Sequence, residues 1–436
     1  TSAYESSPMF LNDGKIGFWQ GNKFFVHDVK TNLNKESFSL VLSDQPEAPK
    51  GPKDIIATEQ HNLIDYVSNK HKDSVERFEF RQSVLKQNKF AGNTKFYFGS
   101  GNRIAAKSVS PLGDRVFVAV QKVVPSRDKT DLMPNYIGQD GRIEMVDVRR
   151  RVADAKPNPQ TFFVLDLNEQ SKQEISVRSL PDFDKDVLAS VKEENAKAEG
   201  KTYKSNKSAR TINLINDWSW SQSAVQWHNN GKHLAVMLEA WDNKDRWLTT
   251  VDFESKSFET QHQLHDDAWI NYTFNDFGWF NNQDALYYLS EQDGYSHLYT
   301  KKLTDQRARQ VTTGKYEVSM PYLSSDDKHF YFRANVNHPG EYNAFKVKTT
   351  SSKVTKPKAL TSLVGDLTFK ISPNESKMLL KHSTILRPNE LYVMDIDGGN
   401  FTQLTKTVST EFLAMPFKAP KIVAVPSSHT DQPIYA

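Results

Sequence analysis

Residues 277–303, FGWFNNQDALYYLSEQDGYSHLYTKKL, have the pattern of a β-meander. The apolar run at 285–289 is rich in aromatic and branched side chains, which favour the pleated strand. Asn, Asp and Gly are concentrated at 281–284 and again at 291–294, and these residue types favour tight reversals between strands. One such meander buries only part of its apolar surface, so the chain needs similar units beside it.

The same pattern recurs along the chain as a polar turn near the form S-P-x-G-K followed by a strand of aromatic and aliphatic residues. These strands are predicted at 115–120, 233–238, 329–333 and 378–381. Further strands that end in an aspartate are predicted at 162–166, 247–252 and 391–395. From the third copy onward the repeats are about 45–55 residues apart, a spacing typical of propeller blades. The sequence therefore predicts an all-β fold, a seven- or eight-bladed β-propeller of four-stranded antiparallel blades.

Insertions are predicted in the N-terminal half, at about 54–90, 123–159 and 182–207. Apolar residues recur at helical spacing in the first of them: Ile55, Ile56, Leu63, Ile64 and Val67. The second is rich in Asp, Arg and Pro, and the third contains the charged, helix-compatible run VLASVKEENAKAEGK. Because blade cores do not tolerate long insertions, we expect helical insertions on the faces of the propeller, where loops also carry binding functions.

Three strings within the repeats resemble one known family: WFNNQDALYYLSEQDGYSHLYTKKL, AWDNKDRWLTTVD and HSTILRPNELYVMD. They are similar to the N-terminal β-propeller of the dipeptidyl peptidase IV branch of the prolyl oligopeptidase family of serine peptidases. The final residues, IVAVPSSHTDQPIYA, resemble the first strands of the α/β-hydrolase domain that follows the propeller in that family. The resemblance, dense from about residue 96 onward, implies a propeller over residues 1–420 and the first strands of a missing catalytic domain over residues 421–436.

Composition restricts the classes of function. The 436 residues are 37% hydrophobic, but no apolar run approaches the roughly 18–20 residues of a membrane span. A net charge of +3, with basic residues scattered among acidic ones, argues against a nucleic-acid or membrane partner. The basic run Arg149-Arg150-Arg151 is interpreted as a solvated loop edge. The absence of cysteine fits both the cytoplasm and a bacterial periplasm, and we predict a periplasmic or secreted location.

No catalytic residue is predicted. The nucleophilic serine of an α/β-hydrolase lies on an elbow of the form G-x-S-x-G, because the strand-to-helix turn needs small neighbours to expose the hydroxyl. Only Gly294-Tyr295-Ser296 has a serine two places after a glycine, and Leu298 occupies the place of the second glycine. Ser296 and His297 are therefore interpreted as residues of a blade turn.

No metal and no cofactor are predicted either. The string HQLHDD offers ligand types that bind metals, namely His262, His265, Asp266 and Asp267. Side chains three apart on a strand point to opposite faces, however, so the two histidines are not expected to converge. We interpret the string as a solvated turn between blades.

The family resemblance implies a substrate-binding segment. In the dipeptidyl peptidases of the family, this segment reads Asp-Trp, two variable residues and then glutamates, whose carboxylates hold the free α-ammonium of the substrate. The matching residues 217–223 are DWSWSQS, in which the Asp and Trp match but the glutamates are absent. Dipeptidyl aminopeptidase specificity is therefore not expected. The predicted substrate-binding residues are Asp217, Trp218, Trp220 and Gln222, with the carboxylates Glu193 and Glu194 of the third insertion as an alternative amine anchor.

In the string AWDNKDRWL, residues 242–245 are predicted to form a hairpin turn, and Trp247 begins the buried face of the next strand. Asp245 and Arg246 are interpreted as structural charges that pair with neighbours, with a position facing the central channel as the alternative.

Two functions from different classes remain open. In the first, the chain is the non-catalytic, substrate-gating propeller of a serine peptidase, its partners being its own α/β-hydrolase domain and short peptides, and a homodimer is compatible with the sequence. In the second, it is a stand-alone periplasmic protein-binding propeller without an enzymatic role. Residues 421–436 favour the first, because a self-contained propeller would close on its last blade. A propeller glycosidase has little support, since the inner-strand candidates are mostly apolar or aromatic rather than paired carboxylates.

Overall fold

The computed structural model describes residues 4–87, 94–124, 131–148, 156–216, 222–350, 354, 356–431 and 433–436. Strands account for 42% of the structure and helices for 12%, which makes the protein mostly β. The chain falls into two compact units. The first unit contains Thr1–Ser176 and Phe253–Lys256, and the second contains Val177–Asp252 and Ser257–Ala436.

The first unit contains two sheets and a separate hairpin. The strands of the first sheet lie side by side in chain order: β1 (Ser6–Phe10), β2 (Ile16–Gln20), β3 (Lys23–Asp28), β4 (Leu33–Val41) and β5 (Thr94–Tyr97). The next strands are β6 (Asn102–Val109), β7 (Arg115–Lys122), β8 (Leu132–Asn135), β9 (Glu144–Asp147), β10 (Gln160–Asp166) and β11 (Ser171–Ile175). The second sheet has the antiparallel order β11-β10-β7-β6, while β8 and β9 pair only with each other, within the second predicted insertion.

Two helices lie between β4 and β5 of the first sheet, α1 (Ile55–Leu63) and α2 (Asp65–Gln87). The N-cap of α1 is Asp54, whose carboxylate accepts a hydrogen bond of 2.8 Å from the backbone N–H of Ala57. No residue of α1 is buried. The helical character predicted for this insertion is therefore confirmed.

Aromatic side chains dominate the core of the first unit. Trp19, Phe24 and Phe38 are each at most 3% exposed. The ring of Phe38 meets Trp19 edge to face at 5.5 Å and meets Phe96 of β5 at 6.3 Å. Edge-to-face pairs stabilise by about 0.5–1.5 kcal/mol beyond the burial of their area. The fifth strand, which pairs with β4 in parallel, thus completes an aromatic core begun by the first four.

The second unit contains four sheets. The strands of the third and fourth sheets are β12 (Ile212–Leu214), β13 (Val225–Trp227), β14 (Leu234–Ala240), β15 (Asp245–Asp252), β16 (Ser257–His265), β17 (Phe277–Trp279), β18 (Ala285–Ser290), β19 (His297–Lys302) and β20 (Arg309–Gln310). The third sheet has the order β12-β14-β15-β16, with β13 also pairing with β14, and the fourth has the order β17-β18-β19-β20.

The fifth and sixth sheets keep strict chain order. Their strands are β21 (Val318–Leu323), β22 (His329–His338), β23 (Glu341–Lys348), β24 (Lys358–Ala359), β25 (Asp366–Ile371), β26 (Lys377–Thr384), β27 (Arg387–Asp395) and β28 (Phe401–Gln403). A short hairpin of β29 (Ala424–Val425) and β30 (Ile434–Tyr435) follows. The helices of this unit are α3 (Ala189–Ala198), within the third predicted insertion, and α4 (Thr410–Ala414).

The meander predicted at 277–303 is confirmed as β17, β18 and β19, with β18 paired to β19 along its whole length. Its apolar side chains pack against those of the fifth sheet. One buried cluster contains Phe280 and Leu298 together with Phe330 and Phe332, all at most 4% exposed. The neighbouring sheet thus buries the surface that a single meander leaves open.

The polar turn that precedes the second strand of a sheet has the same hydrogen bonds in four sheets. In each, the backbone N–H of the first turn residue donates over 2.8–3.0 Å to the first residue beyond the turn: Ser110 to Arg115, His228 to His233, Ser324 to His329 and Ser372 to Lys377. The fourth turn residue has a positive φ in all of them: Gly113 (71°), Gly231 (71°), Asp327 (59°) and Glu375 (53°). Glycine adopts this conformation freely, whereas Asp327 and Glu375 are held there against a steric cost.

The turns also connect neighbouring sheets of the second unit, always in the same direction. A donor in one turn reaches an acceptor side chain in the turn of the next sheet: Asn230 to Asp284 (3.2 Å), Asn281 to Asp327 (2.8 Å) and Ser325 to Glu375 (2.7 Å). These side chains explain why two of the turns keep an acidic residue where glycine would fit the backbone better. They join the third, fourth, fifth and sixth sheets turn to turn.

The predicted fold class is confirmed, since the chain is mostly β and most of its sheets are four-stranded and antiparallel, as in a β-propeller. The described residues form six sheets of four or five strands, and a blade number of seven or eight stays a prediction. The assignment of residues 421–436 to a further domain also stays a prediction. In the structure their hairpin belongs to the second unit, where the ring of Tyr435 lies 4.8 Å from that of His338 in β22.

Candidate functional site

Several residues singled out in the sequence lie outside the part of the chain that the structure describes: Asp217, Trp218, Trp220 and the run 149–151. Gln222 is described; it is half-buried and precedes β13. Glu193 and Glu194 are exposed on α3, a helix that has no buried residue. The part of these residues in substrate binding stays a prediction.

An ion pair anchors the insertion that carries α3. The carboxylate of Asp186 accepts hydrogen bonds from Nζ of Lys192, at 2.7 Å, and from the hydroxyl of Tyr203. These bonds lower the pKa of Asp186 to about 2, so the carboxylate stays charged at neutral pH. Asp186 precedes α3, and it thereby joins Lys192 in the first turn of the helix to Tyr203 in the segment that follows the helix.

Ser296 and His297 have structural partners, but only Ser296 lies in the connection between strands; the assignment of His297 to a turn is wrong, because it is the first residue of β19. The hydroxyl of Ser296 is buried and donates to the backbone oxygen of Val318 at 2.7 Å. His297 is also fully buried, with Nδ1 3.1 Å from the hydroxyl of Thr312 and Nε2 3.0 Å from the backbone oxygen of Gly314. The two side chains are held by different partners, so they do not form a nucleophile and its base.

The two histidines of HQLHDD are also separated. His262 stacks on the ring of Tyr288 at 4.6 Å and contacts the hydroxyl of Ser290 at 2.9 Å. His265 instead contacts Asp245, with 2.8 Å between Nδ1 and Oδ1. In the described ranges no group of three or more His, Cys, Asp or Glu side chains is placed to hold a metal ion.

Replacing His262 by glutamine is expected to flatten the pH dependence of stability between about pH 4 and 6.5. Burial, with a smaller effect of Lys301, lowers the pKa of His262 to about 4. The unfolded chain therefore binds a proton in this range that the folded chain does not, so stability is full above pH 6.5 and falls as the pH drops. The loss reaches about 2–3 kcal/mol near pH 4.

Urea unfolding at pH 4.5 and pH 7 checks this expectation. The change in the free energy of unfolding between the two pH values is compared for the wild type and for His262→Gln. His265→Gln is the matched control. Burial opposes the charged form of His265, but the contact with Asp245 outweighs it and raises the pKa, so this histidine changes stability only as the pH rises above about 6.5. A wild-type slope that survives in His262→Gln would assign the pH dependence to other groups.

A buried ion network joins Arg210, just after the third insertion, to the third sheet. Asp245, the first residue of β15, is 1% exposed. Its carboxylate accepts hydrogen bonds from Arg210 at 2.7 Å and Gln263 at 2.9 Å, besides the contact with His265. Arg210 also makes a two-point contact with Asp242, at 2.6 and 2.9 Å. Such paired bonds fix the orientation of a guanidinium as well as its charge.

The carboxylates of Asp242 and Asp245 balance the buried positive charge of Arg210. Burial opposes the charged form of Arg210, but its hydrogen bonds to Asp242 and Asp245 outweigh this, and its pKa is raised. The interpretation of Asp245 as a structural charge agrees with the structure. Its partner Arg210 is 35 residues away in the chain and is not predicted from the local pattern.

Arg246, next to this network, holds the loop of residues 266–275, called here the aromatic loop. Its guanidinium donates to the backbone oxygen of Asn271 at 3.0 Å and to the side-chain oxygen of Asn275. The turn residue Asn243 exchanges two hydrogen bonds of 2.9 Å with the backbone of Ile270, which is 3% exposed. The aromatic loop is therefore fixed at its centre and at its C-terminal end.

Within this fixed loop two large aromatic side chains face solvent. Trp269 is 57% exposed and Tyr272 is 58% exposed, and their ring centroids are 5.7 Å apart at an interplanar angle of 46°. The oxygen of Asp266 shapes the loop by accepting from the backbone N–H groups of Ala268 and Trp269, at 2.7 and 3.0 Å. These rings follow the HQLHDD string in a run without a known motif, so the sequence alone does not single them out.

Carboxylates surround the aromatic loop. Asp267 is fully exposed, and Glu291 of the fourth sheet hydrogen-bonds the side chain of Asn271. Burial raises the pKa of Glu291, and the negative charges of Glu317 and Asp266 raise it further. The side chain of Glu291 therefore lies in a region where negative charge exceeds positive charge, despite the opposing effect of Arg246.

Antiparallel four-stranded sheets with insertions define the protein as a β-propeller. Residues 191–389 match the model of the dipeptidyl peptidase IV N-terminal region. None of the curated proteins compared with the sequence matches it.

Two solved structures share the fold. Dipeptidyl peptidase 4 from Porphyromonas gingivalis superposes with a TM-score of 0.58 at 12% identity, over 100% of this chain and 50% of the other. A Bacteroides ovatus protein described as a dipeptidyl aminopeptidase IV superposes with a TM-score of 0.53 at 11% identity, over 99% of this chain and 50% of the other. The chain thus spans about half the length of these structures. Among the described residues, no helix is both long and apolar enough to cross a membrane.

Proposed function

We propose that this chain is the substrate-gating propeller of a serine peptidase and does not itself carry the catalytic residues. The observation that carries the proposal is the match of residues 191–389 to the dipeptidyl peptidase IV N-terminal region. The internal hydrogen bonds of Ser296 and His297 support it, because they give structural partners to the one serine that lies two places after a glycine in the sequence. The proposed location is the periplasm or the exterior of the cell.

The proposed partner is an α/β-hydrolase domain whose first strands are residues 421–436, after a propeller of residues 1–420. A propeller that covers such a domain encloses the reaction site, so that a peptide reaches it only if it is short or unfolded. Exclusion of water and of folded substrates is the benefit of such an enclosure. The length of the similar solved structures, about twice that of this chain, supports a second domain of comparable size.

The full-length protein is expected to cleave a short peptide with an acetylated N-terminus within about tenfold of the rate for the free N-terminus. A carboxylate pair facing an ammonium would contribute charge-assisted hydrogen bonds of roughly 1.5–3 kcal/mol each. Residues 217–223 lack the glutamates that would supply them, so the free amine gains little on binding. The expected activity is that of an oligopeptidase or acylaminoacyl-type peptidase.

The measurement compares kcat/KM for one peptide in free and acetylated form, and adds a folded protein that contains the same sequence. A preference of more than about a hundredfold for the free amine, roughly 2.7 kcal/mol, would overturn this specificity. Loss of that preference in Glu193→Ala, but not in the control Glu199→Ala on the same insertion, would then place the anchor on α3. Failure to cleave either peptide, or equal cleavage of the folded protein, would refute the gating function itself.

A further inference from the structure

We infer that the aromatic loop, residues 266–275, is a docking surface for the basic side chains of a peptide, arginine above all. The first observation is that two aromatic side chains are exposed on a loop whose backbone is fixed. Trp269 and Tyr272 are more than half exposed, although Ile270 between them is buried and Asn243 and Arg246 fix the loop on either side. Protein surfaces use solvent-facing Trp and Tyr rings on a fixed backbone as binding anchors, since a preorganised loop loses little entropy when it binds.

The surroundings of the two rings determine the kind of ligand. Asp267 is fully exposed two residues before Trp269, and Glu291 hydrogen-bonds the side chain of Asn271, the residue before Tyr272, so two carboxyl groups lie along the aromatic loop. Lys244 lies close by, but its ammonium donates to the backbone oxygen of Asp267 and not to the carboxylate. The carboxylate contacts His265 through Oδ1, at 3.2 Å from Nε2, while its side chain stays fully exposed to further donors.

A guanidinium, which is a flat cation, can bind both the aromatic rings and the carboxylates of this surface. A guanidinium stacks on the face of Trp or Tyr and at the same time donates paired hydrogen bonds to a carboxylate. An acidic side chain would be repelled, and a neutral apolar one would leave the carboxylates without partners. The charge pattern therefore selects a basic peptide segment over an acidic or apolar one.

This surface is distinct from an anchor for the α-ammonium, and it rests on the proposed function only in taking peptides as the ligands. Basic residues at the aromatic loop would hold a peptide by its side chains. The protein would then favour arginine-containing peptides whether or not their N-terminus is blocked.

Binding to the 436-residue chain, followed by isothermal titration calorimetry, tests the inference. The probe is an acetylated and amidated hexapeptide with two arginines, and its counterparts carry two glutamates or two glutamines in their place. We expect the arginine peptide to bind at least about tenfold more tightly than either, and more weakly as salt rises from about 50 to 500 mM. Trp269→Ala should weaken binding about tenfold, and Trp269→Phe about threefold.

Matched variants distinguish binding at the aromatic loop from effects of substitutions elsewhere in the protein. Tyr272→Ala should weaken binding severalfold, while Tyr136→Ala, which removes a tyrosine that is 71% exposed in the first unit, should not. Asp267→Asn should reduce the preference for arginine over glutamine. Thermal unfolding of each variant confirms that the fold is retained.

Equal binding of arginine and glutamate peptides, or no binding of any peptide up to about 5 mM, would overturn the inference. So would binding that depends only on a free N-terminus, which would assign the surface to the α-ammonium. Binding by this chain but not by the full-length protein would show that the loop is covered by another domain, and would also refute it. Hydrolysis does not enter these measurements, so they fail or succeed independently of the peptidase assay.

Discussion

Replacing Asp245 by alanine is expected to lower the free energy of unfolding of the second unit by about 3–5 kcal/mol. The carboxylate is buried and accepts hydrogen bonds from Arg210, Gln263 and His265. Its removal leaves the guanidinium of Arg210, only 6% exposed, with a single carboxylate partner in Asp242. A buried charge that loses one of its partners cannot recover the loss from solvent.

Two further variants separate charge from shape. Asp245→Asn keeps the size and one acceptor oxygen, so it should cost about half as much as Asp245→Ala. Asp305→Ala removes an exposed aspartate of the same unit and should stay within about 0.5 kcal/mol of the wild type. The measurement is urea unfolding followed by tryptophan fluorescence, with hydrogen exchange of the amides of β15 as a local readout. A cost below about 1 kcal/mol for Asp245→Ala would mean that water replaces the carboxylate, and that the network does not hold the insertion to the sheet.

The fold could be predicted from the sequence because its determinants are local. In residues 277–303 the strand-forming runs and the turn-forming clusters alternate within a few positions, and the structure follows them closely. The repeated turns are equally local, since each closes a hydrogen bond between residues five apart, as in Ser324 to His329. A pattern repeated five times also identifies the architecture, because only sheets stacked against one another bury all of its apolar faces.

The ion network could not be predicted in the same way. Arg210 follows a charged insertion and Asp245 ends a hairpin turn, and nothing in either local sequence indicates that they meet. The sequence did contain one indication of the network. The apolar strand β15 begins with an acid and a base, and charged side chains at the start of a buried strand need partners from elsewhere in the chain.

The conformation of the aromatic loop could not be predicted from the sequence either, for a different reason. The run from Ala268 to Phe274 has enough aromatic and branched residues for a strand, yet it forms turns. The side chains of Asp266 and Asn271 accept hydrogen bonds from backbone N–H groups two or three residues ahead, which replaces the bonds of a sheet. Which of its aromatic residues faces solvent then depends on the distant Arg246, and composition alone does not determine this.

Replacing Asp327 by alanine is expected to cost about 2–4 kcal/mol of the free energy of unfolding. Its carboxylate accepts four hydrogen bonds from the neighbouring sheet. Two come from the backbone N–H groups of Asn281 and Asn282, both at 2.8 Å, and two from their side-chain amides, at 2.9 and 3.2 Å. Alanine provides no acceptor, so these donors lose their partner at the junction of the fourth and fifth sheets.

The backbone of Asp327 allows this loss to be divided into two causes. Its φ of 59° is unfavourable for alanine but not for glycine, so Asp327→Gly should lose the same hydrogen bonds and yet be more stable than Asp327→Ala by about 1 kcal/mol. Asp327→Asn keeps one acceptor oxygen and tolerates the positive φ, so it should be the most stable of the three. Asp326→Ala is the control, because Asp326 accepts only from Ser324 and Lys328 of its own turn and should cost about 1 kcal/mol.

Urea unfolding of the four variants should therefore give a free energy of unfolding that decreases from Asp327→Asn to Asp327→Gly to Asp327→Ala. Asp326→Ala should be more stable than the last two. Equal stability of Asp327→Gly and Asp327→Ala would show that the backbone conformation carries no cost. If Asp326→Ala were as damaging as Asp327→Ala, the bonds inside the turn would matter more than those between sheets. The acid at position 327 would then owe its presence to the turn itself, and the turn-to-turn connection of the sheets would contribute little to stability.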